Sequence, residues 1–545
     1  MLPEEMDNSM ASKNIITASP SSIPKLKGIG ITFYEKMLEH KSKIAHTDAE
    51  TGRTETYESI LQKTIRTSLA MSSRGIKPND VITICSNTTI ESFVCLYASF
   101  FTGAISANID PRLPLSDMVY LMKLAKPKMI FTIPETIRLI EQVIEQSELN
   151  IQIVVFGQTS KYLKYSDFLL PSPDENKFVP YEPNNIKDTA VIVFSSGSTG
   201  LAKGICLSHN ALLGLSYRIA FAPLMSAPTL LTFANLYWIS AVTLTPNAII
   251  NGVNRITCSV FDPIKIWDLI KKYKIGGLFL NAFHALEMCK YGRPKEADTS
   301  TLYSVIFGGC TTTKEQNLHI RKCLPEAIIL NGYGQTETAG CVLMFDPTNQ
   351  EHLELLERYP NSVGKPFPGY YYKVVNPDTE EILGPNQEGE LRVKSDFLMN
   401  GFYNMDDSNE WDTDGFFKTG DIGYYNEDHC FFIVDRIKQL LKYQMWHISP
   451  VKLETVLLAH PAVHNCVVIG IPHQLDGDHA MGVVVLKDSA VGKVTEEDLQ
   501  RYVDDQVGDY QKLRAGVKFV RELPVTATNK ISRLQTKRIV LQERV

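Results

Sequence analysis

The sequence of 545 residues lacks features that define several classes of protein. It has no basic excess, because 55 lysines and arginines stand against 61 aspartates and glutamates, and this excludes the positive footprint of a nucleic-acid-binding protein. Ten cysteines are spread along the chain without a CxxC pair, which argues against a zinc ribbon or a thioredoxin-like redox site. A disulfide framework is equally unexpected in so long a chain. We therefore expect reduced thiols in an intracellular protein.

Long apolar segments and recognisable address signals are also missing. The uncharged run 92–109 contains Ser, Thr, Gly and Asn, so it predicts a buried helix followed by a strand and no stable membrane span. Segment 1–18 is mostly polar and is unlike a secretory signal. The final Glu543-Arg544-Val545 differs from a Ser-Lys-Leu peroxisomal address. These features indicate a cytoplasmic protein, with a peroxisomal location as the alternative.

The chain does contain a regular alternation of short apolar runs with helical intervals. Segments 81–84 and 128–131 are typical of strands, and segment 91–101 between them is typical of a helix. Such an alternation predicts an α/β protein with layered, largely parallel sheets. Segment 171–183, rich in Pro, Asp, Glu and Asn, predicts a surface connection.

The pattern changes after Gly384-Pro385, and the last part of the chain has its own set of predicted elements. We expect strands at 389–393, 431–434, 466–471 and 481–486, and helices at 451–459 and 496–507, the last with Thr495 as its N-cap. We predict a large N-terminal domain of layered α/β subdomains, residues 1–435, and a small mobile C-terminal α+β domain, residues 436–545.

The strongest local motif joins a buried type of strand, 191–194, to a loop of hydroxyls and glycines that ends in Lys203. Glycines allow backbone N–H groups to turn toward an anion, the hydroxyls add donors, and the lysine adds charge, so the loop predicts a phosphate cradle. It differs from the GxxxxGK[ST] loop because Gly204 follows the lysine. The alternative is a flexible surface loop. The cradle residues are Ser195, Ser196, Gly197, Ser198, Thr199 and Gly200.

Two later segments carry further candidate ligands. The strand-like 328–330 leads into Asn331, Gly332, Tyr333, Gly334, Gln335, Thr336 and Glu337. Here an aromatic ring could cover a base, and the carboxylate could hold Mg²⁺, which prefers oxygen ligands beside phosphates. The alternative is a strand-to-helix turn with Thr336 as N-cap. Segment 411–421 contains a tight turn at Asp414-Gly415 and ends in Asp421, which could accept hydrogen bonds from ribose or serve as a turn residue.

The order of these motifs, together with Asp435-Arg436 and a late Asn529-Lys530-Ile531, resembles the adenylate-forming family of acyl-CoA synthetases, coumarate–CoA ligases and beetle luciferases. The closest similarity is to insect luciferase-like acyl-CoA synthetases, and it extends over nearly the whole chain. The resemblance implies an ATP-dependent acid–thiol ligase that uses Mg²⁺ and coenzyme A and activates a fatty or aryl acid as acyl-AMP. Its partners would be a carboxylic acid and coenzyme A, and the protein would be a monomer or a weak homo-oligomer.

The resemblance also implies roles for individual residues. The cradle and Lys203 would hold the β- and γ-phosphates, and Thr336 would touch the α-phosphate. Residues 331–335 would line the adenine site, and Asp421 and Arg436 would hold the ribose. Glu337 would bind Mg²⁺. Lys530 would reach the reacting carboxylate, Lys442 would serve the second half-reaction, and segment 435–438 would be the hinge. The acyl pocket would include Asn235, Tyr237, Gly308, Gly309, Cys310 and Ala339.

The sequence departs from the family pattern at three places. Ala202 replaces a proline before the cradle lysine, with little expected effect. Segment 234–237 replaces a His-His-Gly-Phe run of luciferases, and Leu215 replaces an arginine near the luciferin, so we expect poor light emission. Gln444-Met445 replaces a pair that ends in glycine, and methionine disfavours a positive φ, so thioester formation is expected to be slower. The alternatives are a luciferase-like adenylating oxidase and a catalytically silent relative that only binds nucleotide or acyl ligand.

Overall fold

The computed structural model describes residues 14–18, 24–195, 202–218, 228–290, 292–309, 312–444, 446–525 and 531–543. The chain divides into two compact units. The first comprises residues 1–372 and 392–418, and the second comprises residues 373–391 and 419–545. Among the described residues, every helix is too short or too polar to cross a lipid bilayer.

The first unit contains a seven-stranded sheet, which is parallel except at one edge. Its strands follow in the order Lys203–Ser208, Thr189–Ser195, Ile105–Ala107, Val81–Cys85, Met129–Thr132, Gln152–Val155 and Leu163–Lys164. Only the pairing of the first two strands is antiparallel among the pairings described for this sheet. The apolar runs that predicted strands at 81–84 and 128–131 are therefore confirmed as neighbours in one buried sheet.

A second sheet in the same unit has nine strands. They follow in the order Lys365–Pro366, Gly340–Met344, Ile328–Gln335, Ser304–Gly308, Gly277–Asn281, Thr229–Thr232, Asn254–Thr257, Ile44–Asp48 and Thr54–Thr56. The central strands are parallel, and antiparallel strands close both edges. Buried apolar residues such as Trp267 and Leu278 pack the helices against this sheet. The predicted α/β class with largely parallel sheets is confirmed.

Helices cover the sheets of the first unit. They span Ile29–Glu39, Tyr57–Ser73, Ile90–Thr102, Leu115–Ala125, Ile137–Ser147, His209–Arg218, Ile239–Asn251, Lys265–Tyr273, Ala282–Cys289, Lys314–Cys323 and Gln350–Arg358. The helix Ile90–Thr102 begins at a capping box of Thr89 with Ser92 and ends at Gly103 with φ of 74°. The uncharged run 92–109 is thus a buried helix and the strand Ile105–Ala107, as predicted.

The core of the second unit is a β-hairpin of Val463–His473 and Gly477–Leu486. Leu441–Tyr443, Trp446–Ile448 and Val517–Phe519 complete this sheet, and the helices are Pro450–Ala459, Glu496–Asp504 and Arg533–Gln542. Thr495 caps the second helix with a capping box to Asp498, which confirms the predicted N-cap. That helix ends at Asp504, three residues before its predicted end at 507.

The strands not yet described lie near the chain positions where one unit ends and the other begins. Tyr371–Val375, Gly389–Lys394 and Phe417–Tyr425 each begin in one unit and end in the other, and Phe431–Arg436 follows in the second unit. In the first unit, Ile16–Thr17 pairs antiparallel with Tyr371 and Tyr372. The large and small folding regions expected from the sequence are both present. The predicted division into residues 1–435 and a mobile domain of residues 436–545 stays a prediction.

Candidate active site

Three neighbouring parallel strands bring small residues to one edge of the nine-stranded sheet. Asn281 lies beside Gly308 in the strand register, and Gly308 lies beside Gly332. A Cβ atom on Gly308 would come within 2.6 Å of the Gly332 carbonyl oxygen, so this position accepts only glycine. Ligands of open α/β sheets bind at the carboxyl ends of such strands. The edge is therefore the structural candidate for a binding site.

The phosphate-cradle segment begins beside the candidate metal ligand. The Oγ of Ser195, the last residue of its strand, donates a hydrogen bond to Oε1 of Glu337 at 3.4 Å. Residues 196–201, which include Ser196, Gly197, Ser198, Thr199 and Gly200, lie outside the described residues. The two sequence motifs are thus brought together at the Ser195–Glu337 contact, although 142 positions separate these residues.

Lys203 is held by two groups that the sequence analysis did not single out. It pairs with Ser195 in an antiparallel ladder, so the cradle connects two strands of a hairpin. Its Nζ lies 2.9 Å from Oε1 of Glu410 and 4.0 Å from the centre of the Phe402 ring. Only 18% of the lysine side chain is exposed. The ammonium group therefore carries an ion pair and a cation–π contact at this site.

The second motif is a long strand and a tight turn, which differs from one part of the prediction. The strand Ile328–Gln335 continues through Gly332 and Gly334, where the sequence predicted a turn, and the turn that follows leads directly into the strand Gly340–Met344. The strand-to-helix alternative with Thr336 as N-cap is therefore wrong. Thr338 fixes the turn, because its Oγ1 accepts from the Gln335 N–H at 2.9 Å and donates to the Gly340 carbonyl at 2.8 Å.

The residues of this strand leave little space for larger side chains. A Cβ atom on Gly334 would lie 1.9 Å from the carbonyl oxygen of Gly340. Tyr333 is buried, and its hydroxyl accepts from Nε2 of Gln335 at 3.4 Å. The amide of Asn331, also buried, donates to Oγ1 of Thr312 at 3.4 Å. These side chains are anchored within the first unit before any ligand is considered.

Asp421 and Arg436 face each other across two antiparallel strands of the second unit. Arg436 Nε lies 3.0 Å from Asp421 Oδ1, with 5% of the aspartate side chain exposed and 58% of the arginine side chain exposed. The two residues that were expected to share one role are therefore direct partners. Asp435 is buried, and its Oδ2 accepts from Ser449 Oγ at 2.6 Å and from the Val451 N–H at 3.2 Å. It thus ties segment 435–438 to the start of helix Pro450–Ala459.

The segment that holds Asn235 and Tyr237 is anchored by an aspartate that the sequence analysis missed. Nδ2 of Asn235 donates to Oδ2 of Asp110 at 2.8 Å, and Oδ1 of Asn235 accepts from the Tyr237 N–H at 3.1 Å. Arg112 also binds Asp110, through Nε at 2.9 Å and Nη2 at 2.7 Å. The run Asn-Ile-Asp-Pro-Arg directly after a buried strand was the available signal. Burial would raise the pKa of Asp110, but the Arg112 and Asn235 hydrogen bonds hold it below its ordinary value.

Other predicted pocket positions have distinct surroundings. Gly309 has φ of 89° and Ala339 has φ of 58°, both in the left-handed region. A Cβ on Gly340 would meet Leu215 at 3.3 Å and Thr243 at 3.2 Å, which places the departure at 215 next to the 336–340 turn. Cys310 lies outside the described residues. His284, in the helix Ala282–Cys289, stacks on Phe261 at 4.0 Å between ring centres, and burial lowers its pKa to about 4.

Lys442 lies in the strand Leu441–Tyr443, where its side chain is exposed. Its backbone N–H donates to Oδ2 of Asp478 at 3.3 Å. Gln444 has φ of 51°, in the left-handed region. Met445 and Lys530 lie outside the described residues.

The fold and these motifs define an enzyme of the adenylate-forming class. The sequence profile described as AMP-binding enzyme matches residues 33–403, and the profile described as AMP-binding enzyme C-terminal domain matches residues 452–530. Since the first match alone covers more than half of the chain, the chain belongs to the AMP-binding enzyme family. The family resemblance seen in the sequence is confirmed.

Known relatives agree with this assignment. Luciferin 4-monooxygenase of Photuris pensylvanica is 30% identical over 508 residues, which are 90% of this chain and 90% of that protein. The 4-coumarate–CoA ligase-like 2 of Arabidopsis thaliana is 28% identical over 532 residues, 94% of this chain and 91% of that protein.

Solved structures show the same similarity. The luciferase-like enzyme of the nonluminescent Zophobas morio mealworm has a TM-score of 0.74 and 33% identity, and covers 78% of this chain and 99% of that chain. ATP-bound MatB from Rhodopseudomonas palustris has a TM-score of 0.82 and 22% identity, and the match covers 94% of this chain and 98% of that chain. At this identity the similarity supports the fold and nothing further.

Proposed function

We propose that this chain is an acyl-CoA synthetase, an ATP-dependent acid–thiol ligase. It would convert a carboxylic acid into an acyl-AMP and then transfer the acyl group to coenzyme A. The observation that carries the proposal is the 3.4 Å contact between Ser195 Oγ and Glu337 Oε1. This contact places the start of a hydroxyl- and glycine-rich loop beside a carboxylate, which is the arrangement needed around a metal-bound triphosphate.

The chemistry proposed for the site has two steps. A carboxylate is a poor electrophile, so one of its oxygens first attacks the α-phosphorus of ATP, the bond to the bridging oxygen breaks, and pyrophosphate leaves. The thiolate of coenzyme A then attacks the acyl carbon, a C–S bond forms, and the C–O bond to AMP breaks. Both steps develop negative charge on phosphoryl oxygens, which preorganised cations stabilise in a site closed to water.

We assign the contacts to ATP to residues of the motifs that meet at the Ser195–Glu337 contact and to two residues of the second unit. The cradle 195–200 would donate backbone and hydroxyl hydrogens to the β- and γ-phosphates. Lys203 would exchange its carboxylate partner, Glu410, for these phosphates. Thr336 would donate to the α-phosphate, and Asp421 and Arg436 would bind the ribose. Residues proposed for the adenine site are Asn331, Gly332, Tyr333, Gly334 and Gln335.

Mg²⁺ fits the oxygen ligands of this site. Glu337 is half-buried, and its carboxylate faces the hydroxyl of Ser195. The carboxylate and the hydroxyl both offer the hard oxygen atoms that Mg²⁺ prefers. Magnesium in such sites is held by one or two carboxylates and completed by phosphate oxygens and water. When bound, the ion would neutralise charge on the triphosphate. Glu337 would hold it, and Ser195 would orient the carboxylate.

The two lysines of the second unit are proposed to serve successive steps. Lys530 would contact the reacting carboxylate and the α-phosphate during adenylation, and Lys442 would take its place during thioester formation. A lobe that moves between two orientations allows one pocket to carry out both reactions. The exposed position of the Lys442 side chain supports a residue that can be presented to a ligand.

The acid is proposed to be a fatty or aryl acid that lies among small and apolar residues. The pocket would be lined by Asn235, Tyr237, Gly308, Gly309, Cys310 and Ala339. Both polar groups of the Asn235 amide are engaged, one with Asp110 and one with the Tyr237 backbone. Asn235 would therefore shape the pocket wall, and Tyr237 would face the acyl chain. We expect the enzyme to act in the cytoplasm, with the peroxisome as the alternative compartment.

A luciferase-like adenylating oxidase is the second candidate. The similarity to luciferin 4-monooxygenase of Photuris pensylvanica favours it. The apolar Leu215, which lies beside Gly340, argues against it. The family resemblance implies that luciferases have an arginine at this position, near the luciferin. The third candidate, a silent relative, would use Lys203 and the Ser195–Glu337 contact for ligand binding alone, without the adenylation step.

One experiment separates these functions. The purified chain is incubated with Mg²⁺, ATP and a panel of fatty and aryl acids, and pyrophosphate release is followed with and without coenzyme A. Acid-dependent release with thioester formation supports the ligase. Light or oxygen uptake with luciferin, without thioester, supports the oxidase. Nucleotide binding without pyrophosphate release from any acid would contradict both enzymatic proposals.

A further inference from the structure

A cluster of two histidines and one aspartate lies at the tip of the main hairpin of the second unit. His473 ends the first strand, Asp476 lies in the turn, and His479 lies in the second strand. One ligand atom from each of the three side chains lies within 4.8 Å of the others. Because His473 and His479 are diagonal neighbours on one face of the ladder, their rings meet and stack at 4.1 Å with an angle of 12°.

We propose that His473, Asp476 and His479 form a binding site for a divalent transition-metal ion of the zinc type. Two imidazoles and one carboxylate are a ligand set that suits Zn²⁺, and three protein ligands leave a fourth position for water. The side chain of His473 is 42% exposed, that of Asp476 is 23% exposed and that of His479 is 20% exposed. An ion could therefore enter from solvent without opening the hairpin.

The hydrogen bonds of the cluster support a cation between these atoms. The backbone N–H of Asp476 approaches Nδ1 of His473 at 3.2 Å. The same Nδ1 lies 3.1 Å from Oδ2 of Asp476. Nε2 of His479 approaches that oxygen at 2.8 Å. Nδ1 of His473 and Nε2 of His479 therefore converge on the same carboxylate oxygen of Asp476, which brings three potential metal ligands together.

Asp476 is already oriented by the segment that carries Lys442. Nε2 of Gln444 donates to Oδ1 of Asp476 at 3.0 Å, and the Gln444 N–H donates to the Asp476 carbonyl at 2.7 Å. Gln444 is the residue with φ of 51°. An outer partner that holds a ligating carboxylate tunes a metal site. A metal bound at the cluster would therefore fix the turn after Lys442, a consequence that rests on the role proposed for that lysine.

The binding experiment uses the full chain without a histidine tag and without nucleotide or acid. Co²⁺ is titrated and its visible absorption is recorded, because four-coordinate Co²⁺ reports its ligands, and Zn²⁺ is then added to displace it. We expect one ion per chain at the cluster. We also expect about a 10-fold or greater weakening in the His473→Ala/His479→Ala double variant, and about a 10- to 100-fold weakening in Gln444→Ala.

His464→Ala is the matched control, because His464 is exposed on the same strand and lies outside the cluster. It should bind Co²⁺ and Zn²⁺ as the wild type does. Equal affinity of the double variant and the wild type, or no bound ion, would overturn the site.

Hydrogen exchange tests the second part of the inference. Zn²⁺ should slow exchange of the backbone amides in 441–444 of the wild type, and should leave them unchanged in the double variant. Binding without this protection would contradict the coupling to the Lys442 turn. Neither measurement depends on ligase activity, so a failure of the proposed function would leave both results interpretable.

Discussion

The ammonium nitrogen of Lys203 lies 2.9 Å from the carboxylate of Glu410, so the cation of the cradle motif already has an anionic partner within its own unit. Phosphates of ATP would have to compete with that carboxylate. An ion pair of this kind contributes about 0.2–1 kcal/mol when partly exposed. The pair therefore keeps the lysine in place without barring its release.

This competition gives opposite expectations for the two partners. Lys203→Met should raise the KM for ATP by about 10-fold or more, since a charged hydrogen bond to phosphate is lost. Glu410→Gln should lower that KM by up to about 5-fold, because the ion pair no longer competes. Steady-state pyrophosphate release at varied ATP measures both. A Glu410→Gln variant that raises the KM as much as Lys203→Met would show that Glu410 acts with the lysine, not against it.

Glu337 is predicted to be required for the metal-dependent step. Glu337→Gln keeps the size of the side chain but removes its charge, so acid-dependent pyrophosphate release should fall by about 100-fold or more and the Mg²⁺ concentration for half-maximal rate should rise. Glu354→Gln is the control, because this glutamate is exposed on helix Gln350–Arg358. A normal Mg²⁺ dependence in Glu337→Gln would remove the residue from the metal site.

Substitutions of Lys530 and Lys442 should impair different half-reactions. Lys530→Ala should reduce adenylation by about 100-fold or more without lowering the melting temperature, because it removes a cation from the reacting phosphate. Lys442→Ala should mainly slow thioester formation. Rapid-quench assays of acyl-AMP and acyl-CoA distinguish these effects, with the exposed Lys487→Ala as the control. Equal loss of both steps in Lys442→Ala would contradict its assignment to the second step.

Local sequence signals predicted the regular elements well. The apolar runs at 81–84 and 128–131 and the polar break before Glu496 correspond to real strand and helix limits, because burial and capping act within a few residues. The sequence did not predict that the strand Ile328–Gln335 continues through Gly332 and Gly334. Its glycines suggested a turn, whereas the parallel pairing of Gly308 with Gly332 holds them in the sheet.

The site contacts could not be predicted in the same way, because they join distant parts of the chain. Lys203 and Glu410 are 207 positions apart, and Asn235 and Asp110 are 125 positions apart. Residue type suggested the chemistry of Lys203 and Glu337, but only the fold supplies their partners. The positive φ of Gln444 was not predicted for a similar reason, since the Gln444 N–H donates to the carbonyl of Asp476, which is 32 positions away in the turn of the hairpin.

The Asp110–Arg112 pair gives a prediction about pH. The folded-state pKa of Asp110 lies below its ordinary value, so the contribution of the pair to stability is present above the unfolded pKa, about 3.9, and is lost as pH falls through the lower folded value. Arg112→Ala should thus destabilise the protein by about 1 kcal/mol near neutral pH. Because Asp110 is buried and Asn235 remains its partner, the variant should still fold.

The measurement compares the melting temperatures of Arg112→Ala and the wild type from about pH 7 down to about pH 2.5. The difference should stay nearly constant down to about pH 4 and should shrink below that pH, as the Asp110 carboxylate takes up a proton. Lys161→Ala is the control, since the Lys161 side chain is 69% exposed in its ion pair with Glu141 and the effect should be small throughout. A difference for Arg112→Ala that stays constant or grows below about pH 4 would show that Arg112 acts through packing and not through the charge of Asp110.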